Sequence, residues 1–316
     1  MPNILLDYMF PITSIEPTPA ASTAFLKQVC VLVDPVLVTA ISGTLYEKTS
    51  QSAVVAMGLS ADATAEIAQL FSAGMSKVYI LPLSALTGLD EAIIGHESDF
   101  FTILVSSDFA DADVTAMTPG TFEGVIGASS TDDAFLAVQA AIANRSAWHT
   151  SSANKAQNMF YGFGKMLSNA LAWRNQQYIS MPLADDVATL GDAESYFDDK
   201  ISFVISDTQY SNRLGLFVAG GKAIVAPYVK RNLQVDMQSA ALSYIAGNQP
   251  AYTKTEAALL EDELQKVVDE YIQDKSIEDG VVEVTLVEDN FVANGEINIA
   301  EPGALWRIQA EMRATL

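Results

Sequence analysis

Cysteine is almost missing from this chain: Cys30 is the only one in 316 residues. No disulfide can form within one molecule, and a zinc site built on several thiolates is excluded. Cys30 lies inside the apolar run Gln28-Val-Cys-Val-Leu-Val33, where a thiol packs as a small, inert hydrophobe. Histidine is nearly as scarce. His96 and His149 are far apart and neither has a second histidine at i+3 or i+4, so metal sites built on histidine pairs find no support. Positive charge is also short: 17 lysines and arginines stand against 39 aspartates and glutamates, a net charge of −22 with a pI near 4.2. Phosphate backbones and anionic lipid surfaces repel such a chain, which argues against nucleic acid and membranes as partners. No uncharged apolar run reaches the roughly eighteen residues that a membrane-spanning helix needs. The first residues lack a basic segment, an apolar core and a small-residue cleavage site, so no secretory signal is expected.

What the chain has in abundance is apolar surface. Half its residues are hydrophobic and its mean hydropathy is +0.21. At this length two domains are a fair prior, with enough apolar material for a large core. A self-assembling protein this acidic has to draw its attraction from apolar and backbone contacts.

Along the chain, strand-like and helix-like segments alternate, which predicts an α/β core with a mixed or parallel sheet. Residues 24–38 read as an apolar strand interrupted by Asp34-Pro35, and Ser52-Ala-Val-Val-Ala-Met57 as another strand. Ser60 reads as the N-cap of a helix that stops at Gly74. Strands are expected at Lys77–Leu81, Phe100–Val105 and Gly124–Gly127. Thr131-Asp-Asp opens a helix whose inward face is read as Phe135, Val138, Ala141 and Ile142. Residues 151–175 look helical but carry Gly162 and Gly164, which weaken the assignment. After a strand at Ile201–Ile205, Gly220-Gly221 marks a domain boundary or hinge. The character then changes to one long helix, Thr255–Lys275, followed by strands at Val281–Val287 and Glu296–Ile299, a smaller α+β domain. The expected division is an arm at 1–20, a core domain at 21–220, a C-terminal domain at 221–300 and a second arm at 301–316.

Both ends of the chain are extended and apolar. Trp306, Ile308, Ala310 and Met312 alternate with Arg307, Gln309, Glu311 and Arg313, the pattern of a half-buried strand. Ile4, Leu5, Leu6 and Tyr8 open the chain, followed by a stretch spaced by Pro11, Pro17 and Pro19. Ends with this character act as tethers, to this chain's own sheet or to a neighbour's by β-augmentation. Pattern alone favours an ordinary internal strand pair.

No constellation argues for catalysis. His96 beside Glu97 has the makings of a general base, though a loop histidine in solvent is the simpler reading. His149 reads as the end of a helix, where its charge suits the dipole. Tyr161-Gly-Phe-Gly-Lys-Met166 fails as a phosphate loop, because Met159 and Met166 stand where that loop needs a glycine and a serine or threonine. The acid groups Asp108/Asp111/Asp113, Asp185/Asp186, Asp198/Asp199, Glu261/Asp262/Glu263 and Glu288/Asp289 read as solvated surface in so acidic a chain. Trp148, Trp173 and Trp306 read as core or interface anchors.

Taken in order, these segments resemble the contractile tail sheath proteins of tailed bacteriophages and related contractile injection systems. The residues that carry the resemblance are Pro2-Asn-Ile-Leu-Leu with the proline-spaced arm, Phe71-Ser-Ala-Gly-Met-Ser-Lys-Val-Tyr-Ile-Leu81, the strand Phe100-Phe-Thr-Ile-Leu-Val, Lys230-Arg231-Asn232, the helix 255–275, the strand 280–287 and the final Pro302-Gly-Ala-Leu-Trp-Arg-Ile-Gln-Ala. Residues 146–209 match no part of the pattern. The resemblance implies a mechanical, non-enzymatic protein without cofactors or metals. It implies self-assembly into stacked hexameric rings around a tail tube, with baseplate and tail terminator proteins as further partners. It also implies a place in the virion, after assembly in the bacterial host cytoplasm. The arm residues Ile4, Leu5, Leu6, Tyr8, Trp306, Ile308, Ala310 and Met312 would join neighbouring sheets, while Gly220, Gly221, Pro302 and Gly303 would let the units move. Two other readings stay open: another virion component such as a tube or capsid protein, and an α/β enzyme with an acidic site such as Asp185/Asp186.

Overall fold

The computed structural model describes residues 23–35, 42–96, 98–117, 120, 122–168, 180–184, 190–207, 211–248, 253–274, 276–287 and 292–300. They divide between two compact units, residues 27–224 and residues 225–300 with 23–26.

The larger unit is built on β1 (Val29–Val33), β2 (Tyr46–Lys48), β3 (Val78–Pro82), β4 (Thr102–Val105), β5 (Val125–Ser130) and β6 (Arg145–His149). They form one sheet in the order β2-β3-β1-β4-β5-β6, in which β2 runs antiparallel and every other neighbour pair is parallel. β1 is central: Cys30 lies opposite Tyr79 on one side and Ile103 on the other. Every residue of β1, β3 and β4 is buried, as expected for parallel strands covered on both faces, which read as continuous apolar runs. The core on one side gathers Cys30, Leu32, Tyr79, Leu81, Phe100 and Leu136.

The connecting helices are α1 (Gln51–Val55), α2 (Ala61–Ser72), α3 (Leu89–Ile93), α4 (Asp111–Thr115), α5 (Asp133–Ala140), α6 (Gln157–Ser168) and α7 (Leu190–Asp198). Ser60 caps α2 by accepting the Ala63 N–H at 2.9 Å, and Gly74 ends it at φ +109°, a backbone state that glycine tolerates. Asp132 caps α5 through the N–H groups of Ala134 and Phe135. Beyond β6, Ser202 bridges Trp148 in parallel. β7 (Phe203–Asp207) and β8 (Ser211–Leu216) then pair antiparallel, as do β9 (Val218–Ala219) and β10 (Lys222–Ala223).

The smaller unit consists of α8 (Ala226–Asn248), α9 (Lys254–Gln273), β11 (Asp279–Val287) and β12 (Val292–Ala300). Thr253 caps α9 by accepting the Glu256 N–H. The helix buries Ala257, Leu260, Leu264, Val268 and Tyr271, one stripe at helical spacing. Arg231 of α8 sits over the Phe25 ring at 5.9 Å, which ties the segment 23–26 to this unit.

The architecture is α/β with a mixed sheet plus a smaller α+β unit, as the alternation of segments implies. Several local expectations differ. Residues 52–57 are not a strand. Ser50 accepts the Ala53 N–H and starts the helix α1, so a cap outweighs two β-branched valines. In the stretch 24–38, residues 23–27 form a 3-10 turn and only Val29–Val33 is strand. On α5 the buried residues are Phe135, Leu136, Gln139 and Ala140, whereas Val138 and Ile142 are 55% and 43% exposed. That segment is apolar almost all round, so its sequence does not select a face. His149 ends the strand β6 rather than a helix. Among the described residues, two long helices follow residue 225, not one. The sequence does not mark α8 because its apolar residues form no single stripe, although Pro227 in the first turn is a helix-start signal.

Gly162 and Gly164 have a packing cause. A Cβ on Gly164 would lie 2.8 Å from the Ala73 Cβ and 3.2 Å from the Leu70 Cα, and one on Gly162 would lie 2.9 Å from the Trp148 ring. The glycines let α6 approach α2 and the ring cluster Trp148, Phe163 and Phe217, whose edge-on pairs have centroids 5.0 Å apart. Gly164→Ala should therefore lower stability by about 1–3 kcal/mol through overpacking, although alanine is the better helix former by about 1 kcal/mol. Thermal unfolding of the full chain checks the sign.

Candidate assembly site

The sequence-named arm residues Ile4, Leu5, Leu6, Tyr8, Trp306, Ile308, Ala310 and Met312, and the hinge candidates Pro302 and Gly303, lie outside the described residues. So do Glu97, Trp173, Asp185/Asp186 and Glu288/Asp289. Gly220 and Gly221 are described. They form the two-residue turn between β9 and β10, at φ +54° and +75°, the left-handed values that such a turn needs. The Gly220 N–H donates to the Arg145 carbonyl at 2.8 Å. The division between the two units falls just after this hairpin.

The feature best suited to receiving another strand is the β11–β12 hairpin. It pairs Asp279 with Ala300 and continues without a break to Val287 opposite Val292. Among the described residues these two strands form a sheet of their own. Val282 is buried while Val281 is exposed, so one face packs inward and the other does not. Side chains of α9 reach the outer edge of β11. The Gln265 side-chain amide accepts from the Val282 N–H at 2.9 Å and donates to the Gly280 carbonyl at 3.1 Å. Glu261 Oε2 accepts from the Val284 N–H at 2.8 Å. Sequence pattern placed Glu261 on a solvated outer face; the structure corrects this, since its carboxylate closes a strand edge. Nothing in the helical spacing signals that role.

At the far end of α9 the Tyr271 hydroxyl donates to Asp236 at 2.6 Å, and burial and that bond hold its ionisation far above the ordinary range. Tyr244 and Glu256 join the two helices at their other ends, at 2.9 Å. Beside them lies an open depression of about 670 Å³ lined by Glu256, Asp262, Glu263, Lys266 and Asp269.

In the larger unit the acids expected to be solvated are partly structural. Asp108 receives the Ser60 hydroxyl at 2.8 Å, and Asp111 receives that of Ser130 at 2.7 Å. Asp113 accepts the Ala110 N–H at the start of α4. Asp198 and Asp199 are exposed. Glu66, which no motif singled out, is fully buried and accepts from the Ser106 hydroxyl at 2.7 Å and the Ser107 N–H at 3.2 Å. His96 pairs with Asp99 at 2.7 Å. The His149 ring is buried, stacks on Tyr196 at 4.6 Å and lies 3.8 Å from the Asp133 carboxylate. Tyr161–Met166 lies within α6, so its glycines form no loop. Cys30 is fully buried, which raises its thiol far out of the reactive range, and the charge of Asp99 adds to this. Among the described residues no group of three or more histidine, cysteine or acidic residues is placed to hold a metal ion. No helix among them is long and apolar enough to cross a membrane.

Burial raises the Glu66 carboxyl against the lowering effect of its hydrogen bonds from Ser107 and Ser106. Burial likewise raises Asp108, opposed by its bond from Ser60 and helped by the charges of Asp62 and Asp34. Carboxyls raised in the folded state bind their protons more tightly there than in the unfolded chain. Their contribution to stability is full below the ordinary carboxylate range and is lost as pH rises through the raised values. Glu66→Gln keeps the acceptor without the charge. The decline in melting temperature between about pH 5 and about pH 8 should be smaller in this variant than in the parent, as thermal unfolding across that range would show.

No protein-family model matches the sequence, and no curated protein sequence matches it. The fold does have solved counterparts. A chain in the cryo-EM structure of the anti-feeding prophage (AFP) baseplate, 6-fold symmetrised, superposes with a TM-score of 0.70 at 12% identity, covering 96% of this chain and 97% of that one. The sheath complex of an extracellular contractile injection system, PVC, in its contracted state gives a TM-score of 0.69 at 12% identity, with 95% and 97% covered. A sheath tail protein from Desulfitobacterium hafniense gives 0.51 at 10% identity, with 91% and 99% covered. The chain is thus an α/β protein with close counterparts in fold. Its fold is that of the contractile tail sheath and contractile injection system proteins.

Proposed function

We propose that this chain is the structural, non-enzymatic subunit of a contractile tail sheath. The observation that carries the reading is the extent of the likeness: nearly the whole of this chain matches nearly the whole of a chain from the sheath complex of a contractile injection system. A shared domain inside an otherwise different protein would leave large unmatched parts on one side. Subunits polymerise as stacked hexameric rings around a tail tube and meet baseplate and terminator proteins at the ends. They assemble in the host cytoplasm and function in the virion, where contraction drives the tube through the host envelope.

In this reading residues 1–20 and 301–316 are arms. Ile4, Leu5, Leu6 and Tyr8 at one end, and Trp306, Ile308, Ala310 and Met312 at the other, add strands to the sheets of neighbours. Each backbone hydrogen bond so formed is worth about 1 kcal/mol net. Gly220, Gly221, Pro302 and Gly303 serve as points of flexure, so strand pairing persists while subunits rotate. The free energy released lies in subunit contacts that differ between two packings.

Deletion of Trp306–Leu316 should leave a soluble, folded monomer that cannot form tubes. Circular dichroism reports the fold and negative-stain microscopy the assembly. Normal sheaths from the truncated chain would refute the arm mechanism, while narrow smooth tubes from the intact chain would favour a tail-tube component.

A further inference from the structure

Arg145 opens β6 and is only 5% exposed. Its Nη1 is buried with no hydrogen-bond partner, and among the described residues no carboxylate forms an ion pair with it. Burial alone pushes its ionisation down to about 10, so the group is still a cation at neutral pH. A buried charge without a counter-charge is strongly destabilising, and proteins pair such groups. Side chains alternate along the strand, so Arg145 shares a face with Ala147, which belongs to the same core as Leu136 and Ala140 of α5. The Arg145 N–H donates to the Ile142 carbonyl at 3.1 Å, just past the end of that helix. A helix end offers a fraction of a negative charge, where a guanidinium carries a whole positive one.

α5 itself is exposed where its sequence says it should be covered. Ala134, Ala137, Val138 and Ala141 are exposed at helical spacing, and exposed Ile142 carries the strip past the helix end. Phe135, Leu136 and Ala140 fill the inner side, and no residue from 134 to 144 is charged. A helix that is apolar all round belongs in an interior, and contiguous exposed apolar surface marks a contact site. Resting on the sheath reading above, we infer that the outer face of α5 is a contact surface between copies of this chain, at which a carboxylate of the second copy reaches the buried guanidinium of Arg145.

The occupant has to supply an apolar cover and an anion together. A small free anion covers no helix face. Nucleic acid and anionic lipid bring negative charge, but they meet a molecule of net charge −22. A second copy brings both: half its residues are hydrophobic, and it carries 39 acidic side chains against 17 basic ones. Two such molecules approach closely where one of them presents no carboxylate, and the strip from Ala134 to Ile142 is such a surface. There the acids of the other copy meet alanine, valine and isoleucine in place of like charge. One of them meets a cation in a setting of low dielectric, where the attraction is strong. The cost of burying Arg145 in the free subunit is offset on assembly, so the guanidinium favours the joined state over the separate one.

The test separates subunit stability from assembly in the full-length protein. Arg145→Met removes the charge and keeps an unbranched stem. Its melting temperature should not fall below that of the parent subunit, because no bond is lost, while the polymerised fraction in sedimentation should drop at least tenfold. Val138→Glu and Ile142→Glu, at exposed positions, should keep the parental melting temperature and lower the polymerised fraction at least tenfold; Val138→Leu should leave both unchanged. A photoreactive benzophenone amino acid in place of Val138 should join two copies in polymerised mixtures of tagged and untagged chains. Cross-links only within single chains would overturn the inference and indicate that a segment of the same molecule covers α5. Normal tubes from Arg145→Met, or from both glutamate variants, would overturn it and leave the sheath reading standing. Closed dimers joined through position 138, without tubes, would support the contact and remove the sheath reading. A parent protein that stays monomeric would overturn both.

Discussion

A strand pair satisfies only half of its backbone groups, and this constraint governs the smaller unit. β11 and β12 bond to each other along their whole length, which leaves an equal set of N–H and C=O groups on the two outer edges. Such edges are templates for pairing with other chains, and proteins close the ones they do not use. Here one edge is closed from within, by an amide and a carboxylate projecting from α9. The helix that supplies the apolar face for β11 thus also closes that strand's outer edge. Packing and edge protection come from two sides of one element: Leu260, Leu264 and Val268 point into the core, and Glu261 and Gln265 reach the strand.

The larger unit solves a different problem. β1, β3 and β4 are covered on both faces, so none of their side chains is free to mark a surface. The close approach of α6 to α2 at Gly164, and to Trp148 at Gly162, leaves no slack between layers. Interiors packed to this density move as bodies instead of deforming. For a protein proposed to shift between two packings, this places any change in connections and contacts between copies, with the sheet carried along intact.

The two units differ in how legible they are from sequence. The apolar runs of β1, β3 and β4 and the Ser60–Gly74 helix follow from period and caps, because burial on both faces and a serine cap leave direct marks. The stretch 52–57 does not, since Val54 and Val55 suit a strand and only Ser50, just before it, reveals the helix. β6 also went unread: Arg145-Ser-Ala-Trp-His has neither alternation nor an apolar run, yet all five residues are buried. Its pairing with β5 and its bridge to Ser202 are tertiary facts. At the candidate site the helix and both strands were visible as elements. The clamp by Gln265 and Glu261 was not, because a polar residue on the outer side of an amphipathic helix looks the same whether it meets water or a strand edge.

Charge completes the picture. A chain at −22 repels its own copies at long range, and this repulsion is screened beyond about 8 Å at physiological salt. Assembly under these conditions has to rely on short-range terms, namely apolar burial and backbone hydrogen bonds, to which ionic strength matters little. Strand addition is such a term, and it carries a direction and a register that apolar contact lacks. Acids that might have added to the repulsion are partly engaged: Glu66 is buried, Asp108 and Asp111 are held by hydrogen bonds to neighbouring elements, and Asp113 caps its own helix.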